Sequence, residues 1–179
     1  MKIVILGAPG SGKDTAAKKI EKKFRLNQLV LGDYFKQEYK NKTKIGKAAY
    51  KYWSKGILCP DKLVIQIIKK NLNKDNYLLN GFPRNIKQAN FLNKINKPNV
   101  VIYLDVPKKI LIKRLLDRAK IENRLDDEIN VIRKRLTIYN TKTRPLIKFY
   151  KSILIKINGN RKPESIFKDI KTNLDRLKK

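Results

Sequence analysis

Histidine is absent from the 179-residue sequence, and cysteine, methionine and tryptophan each occur once. Without histidine, imidazole catalysis and His-containing metal sites are excluded. The lone Cys59 can form neither an internal disulfide nor a Cys-based zinc cluster. Long apolar runs are also missing. The run at 3–6 is too short for a signal-peptide core, and no stretch approaches the roughly 18 apolar residues of a spanning helix. A soluble, cytoplasmic protein is therefore expected.

Acidic residues are few: 15 Asp+Glu stand against 44 Lys+Arg, a formal net charge of +29 at pH 7. Such a field attracts anions, among them nucleic acid, acidic membrane surfaces and small phosphates. A second reading stands beside this one. Of the basic residues 34 are Lys, and Lys, Asn and Ile, all abundant here, have AT-rich codons, whereas Ala is scarce. Compositional drift on solvated helix faces then supplies most of the charge. A basic phosphate-loop protein that binds RNA remains the alternative of another class, although no aromatic stacking motif and no Arg-rich segment supports it.

The length suits one domain, 1–179, and 41% hydrophobic residues suffice for a core. Short, β-branched apolar runs at 2–6, 28–31, 77–80, 100–104 and 153–157 read as strands without polar alternation, as in a parallel sheet covered on both faces. Helical patterns lie between them at 15–23, 61–71, 85–93, 108–119, 126–139 and 164–177. The last-but-one carries its stripe on Ile129, Ile132, Leu136 and Tyr139, with Asp126 and Asp127 at its start. Alternation of strand and helix predicts an α/β fold: a three-layer, doubly wound parallel sheet of about five strands. The segment 32–60 is too long for a simple βα connection and reads as an inserted helical lobe.

The strongest motif is Gly7-Ala8-Pro9-Gly10-Ser11-Gly12-Lys13-Asp14-Thr15, directly after the first strand and opening the first helix. Its glycines let backbone N–H groups turn inward around a polyphosphate. The helix N-terminus adds positive partial charge, and Lys13 reaches the β and γ phosphates.

This loop resembles that of the adenylate kinases, and further matches follow in order. They are Gly32-Asp33, Gly56-Ile57-Leu58-Cys59-Pro60-Asp61, Gly81-Phe82-Pro83-Arg84, Leu104-Asp105-Val106-Pro107, and Arg124-Leu125-Asp126-Asp127 leading into Ile132-Arg133-Lys134-Arg135-Leu136. The resemblance implies a nucleoside monophosphate kinase that transfers a phosphoryl group from Mg·ATP to AMP, giving two ADP, and acts as a monomer. It implies ATP contacts from Gly10, Ser11, Gly12, Lys13, Asp14, Thr15, Arg114, Arg118 and Lys162. It implies AMP contacts from Leu31, Gly32, Lys36, Ile57, Leu58, Cys59, Gly81, Phe82, Pro83, Arg84, Gln88, Arg124 and Arg135. Lys13, Arg84, Arg118, Arg124 and Arg135 are the catalytic cations it implies, with Thr15 orienting Mg²⁺ and Asn80 acting on the metal through water. An AMP-binding lobe at 30–59, a very short lid loop at 119–124 without a zinc site, and a cis bond before Pro83 are also implied. Gly32 and Gly56 are expected to flank the moving lobe.

Spacing supports part of this independently. Arg114 and Arg118 are four apart and share a helix face, while Arg124 and Arg135 are eleven apart, about three helical turns. Charge neutralisation by such cations is what phosphoryl transfer asks of a protein. Four positions depart from the family pattern: Asp14 replaces a usual Gly, Leu31 a Thr, Lys36 an Arg, and Asn80 an Asp that orders metal-bound water. Arg84-Asn85 is similar to the UMP/CMP kinases, so a pyrimidine nucleotide is the alternative acceptor. Gln88, at the base-reading position, favours adenine.

Overall fold

The computed structural model describes residues 1–122 and 128–177. The five apolar runs form β1 (Lys2–Gly7), β2 (Gln28–Val30), β3 (Tyr77–Asn80), β4 (Val100–Asp105) and β5 (Leu154–Asn158). All pair in parallel, in the order β2-β3-β1-β4-β5. Nine α-helices lie among the described residues: α1 (Lys13–Phe24), α2 (Leu31–Lys40), α3 (Lys44–Trp53), α4 (Asp61–Asn71), α5 (Ile86–Asn96), α6 (Lys108–Glu122), α7 (Ile129–Ile138), α8 (Leu146–Phe149) and α9 (Pro163–Arg176).

The pleat divides the strand side chains between two layers. Ile3, Ile5, Leu78, Ile102 and Leu104 pack with Ala17 and Ile20 of α1 and with Ile170 and Leu174 of α9. Val4, Leu6, Leu79, Val101 and Tyr103 pack on the other side with Ile67, Ile68, Ala89, Leu92 and Leu146. Both faces are dry, which is why these strands read as unbroken apolar runs. Each fully buried Ile or Leu contributes about 1.5–3 kcal/mol of transfer free energy. A third cluster joins Ala8 of the phosphate loop to Leu111 and Leu115 of α6 and to Ile132 and Leu136 of α7. It fixes the two helices that carry Arg114, Arg118 and Arg135 against that loop.

The chain leaves β1 through α1 on one face and leaves β3 through α5 on the other. The connections therefore diverge at neighbouring strands and open a crevice at their carboxyl ends, the ligand position of doubly wound sheets. Over this crevice stand α2 and α3. Thr43 caps α3 by accepting from Gly46 N–H at 3.0 Å, and its hydroxyl donates to Glu38 Oε2 at 2.8 Å. A Cβ on Gly46 would fall 2.2 Å from the Glu38–Tyr39 peptide, so only glycine permits this close approach of the two helices.

Two expectations change. Leu31 does not extend β2 but begins α2, because a helix from this point buries it with Phe35 one turn on. The pattern at 126–139 is described as a helix from Ile129, and it ends in a π-helical turn at Tyr139–Thr143, closed by Arg144 N–H on Tyr139 O at 2.8 Å. Asp126 and Asp127 lie outside the described residues. No helix among the described residues is long and apolar enough to cross a membrane.

Candidate active site

The loop between β1 and α1 has the backbone its glycines allow. Gly10 and Gly12 adopt φ of 82° and 85°, and a Cβ on Gly7 would lie 2.4 Å from Ser11 Oγ. Ser11 N–H donates to Ala8 O at 3.0 Å, and no side chain caps the start of α1. The Ser11 hydroxyl is wholly buried and has no hydrogen-bond partner. An uncapped helix start, a left-handed glycine turn and an orphaned hydroxyl together fit an anion that enters the loop.

Lys13, at the first position of α1, faces one cleft together with Gly10, Asp14, Asn80, Gly81, Arg84, Arg118 and Arg135. Burial depresses its ammonium below the ordinary lysine value. The Asp14 carboxylate opposes that shift, and the nearby Arg84 and Arg135 guanidinium groups add to it. Crowded, desolvated cations of this kind are stabilised when an anion fills the space between them. The Lys13 ammonium, 3.4 Å away, holds the Asp14 carboxyl at about 2 against the opposing effect of burial, with help from the Asn80 amide, which donates to Oδ1 at 2.8 Å.

Arg84 is set by the loop after β3, where the Phe82–Pro83 bond is cis and Gly81 has φ 83°. Its Nε donates to Gly81 O at 2.9 Å, its backbone N–H to Gln88 Oε1 at 2.7 Å, and its carbonyl accepts from Thr143 Oγ1 at 2.8 Å. One contact to its side chain and two to its backbone thus set the position of Arg84.

The opposite wall of the cleft comes from Leu31, Gly32 and Lys36 of α2, from Ile57, Leu58 and Cys59, and from Gln88. Gln88 is 2% exposed, and its Nε2 donates to Asp61 Oδ1 at 2.7 Å. Asn85 Nδ2 reaches the same oxygen at 2.9 Å, and Asn85 Oδ1 caps α5 by accepting from Gln88 N–H at 2.8 Å. Asn85, the residue similar to the UMP/CMP kinases, is therefore a helix cap in this fold. Asp61 was missed as a site-shaping residue. Its position at the start of α4 explains it locally, and only the fold brings it to Gln88.

Other residues singled out from sequence lie differently. Phe82 is in the core and Pro83 lines a smaller adjoining cavity with Lys13, Arg84 and Arg135. Arg114 donates to Gly159 O at 3.1 Å, outside the cleft wall. Lys162 is exposed at the start of α9, and Gly12 and Thr15 are exposed beside the loop. Residues 119–122, expected as the start of the short lid loop, instead continue α6 to Glu122, and Arg124 falls outside the described residues.

Comparison with known proteins agrees with this geometry. The family model for adenylate kinase matches residues 5–155. The adenylate kinase of Bacteroides fragilis is 40% identical across 99% of this chain and 100% of its own length. That of Leptospira biflexa is 43% identical across 88% and 91%, and that of a Thermoanaerobacter species is 33% identical across 97% and 98%. A parallel sheet with a phosphate loop after its central strand, cations converging from the loops and helices around it, and matches over nearly the full length lead to one conclusion: the chain belongs to the adenylate kinase family.

Proposed function

We propose that this chain is an adenylate kinase that transfers a phosphoryl group reversibly from ATP to AMP, giving two ADP, with Mg²⁺ as the accompanying metal. One observation carries the reading: Lys13, Arg84, Arg118 and Arg135, from four different elements of the chain, line one cleft between the phosphate loop and α2. Transfer between two nucleotides requires both polyanions to meet there and water to be kept out.

In this reading Gly10–Thr15 hold the ATP phosphates, with Lys13 on the transferring end. Arg118 and Arg135 balance charge on the equatorial oxygens, and Arg84 and Lys36 hold the AMP phosphate. The adenine of AMP lies between Leu31 and the 57–59 segment, where Gln88 reads it. The Arg84 backbone N–H on Gln88 Oε1 and Asp61 on Gln88 Nε2 restrict Gln88 to one amide orientation, with Asn85 holding Asp61, so its hydrogen-bonding edge is set before the base arrives. The metal would be held near Thr15 and Asn80 and would offset charge on the ATP phosphates. The 30–59 lobe, with Gly32 and Gly56 near its ends, folds over the acceptor. Arg114, Arg124 and Lys162 are assigned to nucleotide contacts in the closed state.

An ADP-formation assay with Mg·ATP and, separately, AMP, CMP, UMP or GMP tests the proposal. AMP is expected to give the highest kcat/KM. Faster turnover with CMP or UMP would transfer the assignment to the pyrimidine kinases.

A further inference from the structure

Asp14 places a carboxylate where phosphates are to bind, which is unfavourable unless a cation comes between them. It is not turned away. Its Oδ1 is anchored by the amide of Asn80, a residue 66 positions later that is 1% exposed at the end of β3. The same oxygen lies 3.4 Å from Lys13 Nζ, and more than half of the side chain's surface is open. Among the described residues two carboxylates line the cleft, Asp14 and Asp33, and of these Asp14 belongs to the phosphate loop and its helix. The pairing also resolves two departures noted in the sequence. The acid absent at position 80 and the acid gained at position 14 are in direct contact, so the negative charge has moved across one hydrogen bond without leaving the site.

Hard divalent cations bound with nucleotide phosphates keep several waters, and carboxylate oxygens accept from those waters. A fixed carboxylate beside the phosphate seat therefore favours nucleotide that arrives with its metal and disfavours nucleotide without it. We propose that Asp14, positioned by Asn80, makes ATP binding at this site metal-selective. The proposal rests on the assignment of the phosphate loop to ATP.

Calorimetric titration of ATP tests it with no acceptor present, so turnover does not enter. Each protein is titrated once with excess Mg²⁺ and once with EDTA, and the ratio of the two dissociation constants is the readout. The wild type is expected to bind Mg·ATP the more tightly. Asp14→Asn, which keeps the shape, and Asp14→Gly should each shrink that ratio about tenfold, partly by tightening metal-free binding. Asp14→Gly combined with Asn80→Asp returns the acid to the strand end and should restore most of the ratio. Unfolding temperatures identify any loss of structure, which would weaken both titrations alike and leave the ratio unchanged. A wild-type ratio in Asp14→Asn and Asp14→Gly overturns the proposal. Wild-type protein that binds ATP in neither condition overturns the phosphate-loop assignment itself.

Discussion

Thr143 Oγ1 donates to the carbonyl of Arg84 at 2.8 Å, joining the π-helical turn after α7 to the loop that carries the cis-proline. Thr143 is 8% exposed, so water does not readily replace it. Thr143→Val keeps the shape and removes this part-buried hydrogen bond, at a cost of about 0.5–1.5 kcal/mol. For a protein of this size that is a fall in Tm of about 1–6 °C. Turnover should fall too, because the backbone that carries the Arg84 guanidinium loses this anchor, whereas Thr143→Ser should retain both properties. Unchanged Tm and kcat in the valine variant would deny the contact any part in setting Arg84.

Lys13 combines a burial cost with repulsion from Arg84 and Arg135, offset by Asp14. Lys13→Met removes the cost and the repulsion along with the useful charge. We expect kcat to fall by about two to three orders of magnitude, as for loss of a preorganised charge stabiliser, while Tm stays within a few degrees of wild type. Stopped-flow or coupled ADP assays with a thermal melt check both halves. Near-normal turnover would refute the role given to Lys13.

Much of this fold is written locally. The run at 100–104 is apolar on both faces, and a strand with no polar alternation fits a sheet covered on both sides. The phosphate loop was equally legible, since its glycines answer to backbone geometry between adjacent elements. What stayed hidden depends on contacts between residues distant in the chain. The Asp14–Asn80 hydrogen bond spans 66 positions and the Gln88–Asp61 bond 27. Leu31 reads as strand because its β-rich neighbours continue it, yet burial beside Phe35 makes it the first residue of a helix. Arg114 shares a helical face with Arg118 by spacing, but its guanidinium is turned to the Gly159 carbonyl.

Gly56 follows α3 with φ 67°, and a Cβ there would lie 2.7 Å from Val131 Cγ1 and 3.0 Å from Arg135 Cγ. Gly56→Ala thus combines about 1–2 kcal/mol of left-handed strain with pressure on the helix that carries Arg135. A drop in Tm accompanied by a drop in kcat is expected. Gly32 is the control for stability, since a Cβ there meets nothing within 4 Å, and Gly32→Ala should change Tm far less. Equal Tm losses in the two variants would contradict the steric account.

Cys59 lies on the acceptor wall of the cleft with its Sγ donating to Ala49 O at 3.8 Å. Burial pushes the thiol up from 9.0 to about 11, against a smaller opposing effect of Arg84. The fold therefore favours the neutral thiol. That stabilisation is fully present below pH 9.0 and is lost as pH rises through about 11. Only the thiolate is nucleophilic, so iodoacetamide at pH 8 should modify the folded protein about a hundredfold more slowly than the unfolded chain. The rate should climb about tenfold per pH unit up to about 11. AMP at saturating concentration should slow the reaction further, because the sulfur adjoins the space assigned to the base, and ATP alone should protect less. Rapid alkylation at pH 7–8 would show that Cys59 is not held in this environment, and protection by ATP rather than AMP would reverse the assignment of the two nucleotide sides.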